Sequence, residues 1–181
     1  MSATARHSRL RYAIVVCAAV VAAVFVAGST HAAGLDVRTR ADASDVGLPV
    51  YPGAVKSRDG NGDGDDGAFQ FGIWGDSFGF KLAVVSFRSD DDVDAVAAFY
   101  RDAMGRYGPV LDCSNAGGKR HRDGDDRSER DKPVTCDGDH AAAGGRLFKV
   151  GVNRAQRVFQ VKPDDKGASF TLVRIEMRGD D

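Results

Sequence analysis

The chain has 181 residues, 43% hydrophobic and 28% charged, with 25 basic against 26 acidic side chains and a formal net charge of −1. That length holds one domain with a real core and leaves two cramped. Arg6, Arg9 and Arg11 precede an apolar run and no acid occurs before Asp36, so without residues 1–32 the count becomes 22 basic and 26 acidic; such a mildly acidic domain cannot neutralise a row of phosphates, which argues against nucleic acid as a partner.

Residues 1–32 have the three-part build of a secretory signal: a basic start, an apolar run from Ala13 to Ala27, and the small residues Gly28-Ser29-Thr30-His31-Ala32-Ala33. Cleavage is expected after Ala32, with Thr30 and Ala32 as the small residues read by the peptidase. The alternative is an uncleaved anchor, since the run is slightly short of the roughly 20 apolar residues that span a bilayer. Only then would the chain touch a membrane. Cys17 follows Ile14, Val15 and Val16 and lacks the small residue that precedes a lipid-modified cysteine. The expected location is periplasmic or secreted. Residues 33–45, polar and aperiodic, read as a flexible tether, and a single α+β domain is expected over 46–179.

Within the domain, the prolines at 49 and 52 limit Val46 to Val55 to an edge strand or extended segment, with Pro52-Gly53 making a turn. Asp59 to Gly67 is too glycine-rich and charged to pack and reads as a loop. Phe69, Phe71 and Ile73 alternate with Gln70 and Gly72, and after Gly75-Asp76-Ser77 the alternation resumes at Phe78, Phe80, Leu82 and Val84, a hairpin signal. Ala83, Val85 and Phe87 are apolar too, which places the second strand near the centre of a sheet.

From Ser89 to Pro109 the period changes. Val93, Val96, Ala97, Tyr100, Met104 and Tyr107 recur at helical spacing. Ser89 or a following aspartate can cap the first turn, the acidic run complements the helix dipole, and Gly108-Pro109 ends the helix. Val110–Cys113 and Pro133–Cys136 are short strand-like pieces flanking the charged segment Lys119 to Lys132. The rest reads as a meander over 147–152, 157–162 and 169–178, with Thr171, Val173, Ile175 and Met177 expected inward and Arg174, Glu176 and Arg178 outward. The fold class is therefore α+β: a mostly antiparallel sheet of about six or seven strands with one long amphipathic helix packed on one face.

Val50-Tyr51-Pro52-Gly53-Ala54, Ala98-Phe99-Tyr100-Arg101, Tyr107 to Cys113 and Val161-Lys162-Pro163 carry a resemblance. In these the chain resembles a group of small exported bacterial proteins of unknown role, which share a Tyr-Pro-Gly-Ala turn, a helix with Phe-Tyr and a C-terminal meander. The resemblance spans roughly Leu48 to Met177; it implies this fold and compartment and hands over no activity.

Cys113 and Cys136 are the two cysteines left once the signal is removed, and in an oxidising compartment a disulfide between them is the natural pairing. The rival is zinc, with His121 and His140 at Cys-x7-His and Cys-x3-His, looser than the Cys-x2-Cys pairs that zinc favours. Asp59, Asn61, Asp63 and Asp65, with Gly64 at the sixth position, match the first half of a calcium loop. The second half departs from it, with Asp66 at the eighth position and Gln70 at the twelfth where a bidentate glutamate belongs. Asp123 to Asp126, interleaved with arginines, has no such spacing. Nucleophilic catalysis would need a serine or cysteine with a histidine and an acid in reach, but neither His121 nor His140 lies next to an apolar strand end where a site is usually built, and no glycine loop precedes a helix to cradle phosphate. Tyr51 and Trp74, with Phe71 and Phe78, form a candidate ligand surface or part of the core. The expected function is a non-enzymatic binding or interaction module with an envelope protein or small ligand as partner and no cofactor other than calcium; a small periplasmic hydrolase or a weakly calcium-binding structural protein is the alternative.

Overall fold

The computed structural model describes residues 33–57, 67–115 and 126–179. The unit Ala33–Asp181 is built on eight strands. They are β1 (Gly34–Arg38), β2 (Val55–Lys56), β3 (Ala68–Trp74), β4 (Phe78–Ser89), β5 (Leu111–Asp112), β6 (Arg146–Val152), β7 (Ala155–Asp164) and β8 (Gly167–Gly179). The order across the sheet is β1-β3-β4-β8-β7-β6-β5, with β2 also on β4, and every pairing is antiparallel. Two helices accompany it, the single turn α1 (Ala43–Val46) and the thirteen-residue α2 (Val93–Gly105).

The expected hairpin is β3–β4, closed where the Gly75 N–H donates to the Phe78 carbonyl at 2.8 Å. As expected, β4 is central, with β3 on one side and β8 on the other. The meander is β6–β7–β8, and among the described residues eight strands replace the expected six or seven. The helix begins after Asp92, whose carboxylate accepts from the Ala95 N–H at 2.8 Å, so the cap is the last aspartate of the run. It ends at Gly105, before the glycine-proline stop.

One buried cluster joins Val46 and Leu48, Ala83, Val85 and Phe87 of β4, Val96, Tyr100 and Met104 of α2, Phe148 and Val150 of β6, Phe159 and Val161 of β7, and Phe170 and Leu172 of β8. At its centre Tyr100 is fully buried, its ring stacked 4.7 Å from that of Phe159. A smaller cluster of Cys113, Cys136 and Leu147, with Leu111, Ala141 and Val158 against it, lies on the opposite side of β6 and β7.

Several expectations are corrected. Residues 33–45 are not a tether: β1 pairs with β3 from Gly34↔Trp74 to Arg38↔Gln70, and Ala41 and Ala43 are buried in the main core, so the domain begins a dozen residues before Val46. Val46 itself ends α1, and within 46–55 only Val55 is strand. Pro133 to Cys136 forms no strand beyond a bridge from Pro133 to Val152. Tyr107 lies past the helix and is exposed, with the Arg157 guanidinium 3.5 Å over its ring. In β8 the inward assignment is reversed: Ala168, Phe170 and Leu172 face the helices, and Thr171, Val173, Ile175 and Met177 face away. Both sides of β8 are apolar only as far as Val173; beyond it the helix side carries Arg174 and Glu176, and Arg174 donates to the Asp45 carbonyl of α1 at 3.2 Å.

Candidate functional site

The reversal in β8 exposes the most distinctive surface of the protein. Side chains alternate across a strand, so the register fixes which residues share a face. Opposite the helices, β1 contributes Leu35 and Val37, β3 contributes Phe69, Phe71 and Ile73, β4 contributes Phe78, Phe80, Leu82 and Val84, and β8 contributes Val173, Ile175 and Met177. The Phe71 and Phe80 rings meet at 6.1 Å between centroids, as this register requires. None of these residues belongs to either buried cluster. Leu35 is 67% exposed, Phe78 49% and Met177 37%.

The patch has a defined outline. Beyond Val84 and Val173 the ladder turns polar, with the Ser86 and Thr171 hydroxyls hydrogen-bonded at 3.0 Å and Arg88 paired with Asp164 at 3.0 Å. Towards β7 it meets Gln156 and Gln160 and then the disulfide cluster, which covers Leu147 and Val158. Within that outline none of the strand side chains is charged, and at the Phe78 end the Arg130 guanidinium lies against Gly179. On β1 the charged residues take the other face, where Arg38 pairs with Asp36 at 2.9 Å.

The residues singled out in the sequence fall elsewhere. Cys113 and Cys136 form the expected disulfide, with Cα atoms 5.4 Å apart, which removes both thiolates that zinc would need. Asp59, Asn61, Asp63, Asp65 and His121 lie outside the described residues, and His140 is exposed. Among the described residues no group of three or more His, Cys, Asp or Glu is placed to hold a metal.

Tyr51 and Trp74 do not form one surface. Tyr51 packs edge-on to Phe99 at 5.2 Å and lies 6.4 Å from Phe170, the partner of Phe87, while Trp74 pairs with Gly79. Gly79 and Phe87 are eight positions apart on β4, roughly 26 Å at the strand rise. The Tyr51 hydroxyl donates to Asp91 at 2.7 Å, and this bond, then partial burial and the nearby aspartate charges, raise its pKa. The Trp74 indole lies across Gly34 and Gly72 on the helix side of the sheet, where a Cβ on Gly34 would collide with it.

A separate cleft of about 490 Å³ lies between α2 and β6, lined by Asp94, Ala97, Ala98, Arg101, Asp102, Gly105, Arg146 and Phe148. Its cations are engaged. Arg146 pairs with Asp94 at 2.7 Å, and Arg101 pairs with Asp112 at 2.6 Å while lying 4.5 Å over the Phe148 ring. Partial burial raises the Asp112 carboxyl, but the hydroxyl and backbone N–H of Ser114, with Arg101, outweigh that and hold it below its usual range. Among the described residues its lining holds no serine, cysteine or histidine.

The open face escapes sequence reasoning because its residues read as core. The usable signal is that β4, and β8 as far as Val173, are apolar on both sides while the sequence offers one amphipathic helix to cover them. Comparison with family models, with curated proteins and with solved structures finds no match to this chain.

Proposed function

We propose that this chain is an exported, non-enzymatic interaction module of the periplasm or the extracellular space that binds its partner through the open face of the sheet. In this reading α2 is the long amphipathic cover of one face, as in the small exported proteins that the Tyr51-Pro52-Gly53-Ala54 segment resembles, and the other face is kept for the partner. The observation that carries it is the uncharged apolar surface spread over β1, β3, β4 and β8. A sheet gains its stability by burying apolar faces against a second layer, and contiguous exposed patches of this kind mark interaction sites. The Cys113–Cys136 disulfide is compatible with an oxidising compartment.

The test is fractionation of cells producing the full chain with a C-terminal tag, followed by native gel filtration of the fraction that contains it. The reading expects the chain in the periplasm or medium, oxidised at Cys113 and Cys136, eluting above the mass of one copy. The double variant Phe78→Glu/Met177→Glu should elute at single-copy mass with its thermal midpoint retained. A chain held in the cytoplasm would overturn export. A wild-type chain of single-copy mass that also fails to bind a hydrophobic dye would overturn the interaction reading.

A further inference from the structure

We infer that the occupant of the open face is a second copy of this chain, packed sheet against sheet about a twofold axis; the inference rests on the reading of that face as a docking surface. Three observations select this partner.

The first is area. The seven residues of β3 set the length of the patch, and four strands about 4.8 Å apart with a rise of about 3.3 Å per residue outline roughly 450 Å². Side-chain relief raises the accessible area to on the order of 650 Å², so a facing pair buries about 1,300 Å², inside the roughly 1,200–2,000 Å² of specific, stable interfaces.

The second is charge. A twofold interface brings a patch against itself, so any charge within it meets its own sign. The strands place Leu35, Phe71, Phe80, Leu82, Val173 and Ile175 across this patch with no ionic side chain among them. Of the cations near its margins, Arg88 is matched with Asp164 and Lys149 with Asp139, while the Arg130 guanidinium lies against Gly179 at the Phe78 end. Among the described residues an anionic lipid surface would meet on this face the paired Arg88 and Lys149 at its margins and Arg130 at one end, not a continuous cationic rim, and a charged protein partner would find no ionic group on the strands themselves.

The third is shape. A pleated face offers a broad, shallow relief suited to another sheet packed about 10 Å away, as in a β-sandwich. A small apolar ligand needs a concave site, and the 490 Å³ cleft lies between α2 and β6, on the other side of the sheet. The assembly has four layers, with the helices outermost and the two open faces forming its middle.

The experiment is analytical ultracentrifugation of the purified chain alone, over a concentration series, beside dye titration with anilinonaphthalene sulfonate. The expected result is a reversible species of twice the chain mass that leaves the dye dark. Phe78→Glu/Met177→Glu should weaken the self-association roughly 30-fold or more, the scale set by truncating a central anchor of an interface, while Val50→Glu, exposed but off this face, leaves it unchanged. Should the double variant fail to fold, Leu35→Lys/Val37→Lys at the more exposed edge strand makes the same test. A wild-type monomer that binds the dye, with binding removed by Phe78→Glu/Met177→Glu, overturns the second copy and leaves the interaction face standing. A wild-type monomer that leaves the dye dark overturns both. A dimer unaffected by either set of charges on this face overturns the inference.

Discussion

Tyr100 carries a hydroxyl into the middle of an apolar core, and its two hydrogen bonds explain why that is tolerated. It donates to the Pro49 carbonyl at 3.0 Å and accepts from the Tyr51 N–H at 3.2 Å, satisfying two backbone groups of a segment that the prolines bar from regular pairing. Burial pushes the phenol pKa far above its usual value, so it remains a donor at any ordinary pH. Tyr100→Phe keeps the ring stack on Phe159 and removes only the hydroxyl; urea denaturation should show a loss of about 1–3 kcal/mol, the cost of leaving buried polar groups unpaired. Asp112 gives a pH signature. Its folded pKa lies below the ordinary carboxylate value, so its contribution to stability is complete above that value and is lost as pH falls through the depressed one. Thermal midpoints measured from neutral pH into the acid range should therefore fall less steeply for Asp112→Asn than for the parent, and a parallel fall would show that the carboxylate contributes nothing.

At the scale of elements, the disulfide serves the part of the molecule with the least core. β5 is only two residues long, and the chain from there to β6 has little regular structure among its described residues. The bridge spans a sequence separation of 23, for which the chain-entropy model gives about 3 kcal/mol. Reduction, or Cys113→Ala/Cys136→Ala, should lower stability by up to that amount in denaturant titrations. Hydrogen exchange should speed up around Leu111 and Leu147, whose residues form the small cluster, and stay slow at Val85, Phe159 and Leu172 in the main core. A uniform loss of protection would mean that the two clusters unfold as one.

The whole molecule shows which features a sequence discloses. The β3–β4 hairpin, a helix within residues 89–109, the meander and the cysteine pair are legible because each is written in local periodicity or in a short census of residue types. β1 is not: Leu35 and Val37 alternate with Asp36 and Arg38, but over five residues that pattern is faint, and what makes them a strand is β3, more than thirty positions away. The facing of β8 is hidden because the local alternation from Thr171 to Arg178 points the wrong way: its charged side, with Arg174 bonded to the Asp45 carbonyl of α1, continues the face that Phe170 and Leu172 bury. Of the candidate site, Phe71, Phe78 and Trp74 are legible as aromatics of interest, but their division between two faces depends on the register. A chain beginning at Leu48 tests the extended domain boundary. It lacks β1 and α1 and with them Ala41, Ala43 and Val46, all buried. Burial of Val46 alone is worth about 1.5–3 kcal/mol, so this chain should melt well below one beginning at Ala33, and equal midpoints would return residues 33–45 to the role of a tether. The position of β8 has a consequence in time. It pairs with β4 along one edge and β7 along the other, so it is the seam between an early hairpin and a late one, yet it lies C-terminal to every other strand. Until those thirteen residues emerge, the sheet of the growing polypeptide is two halves with no strand pairing between them, and whatever machinery handles it during synthesis meets an unfinished object.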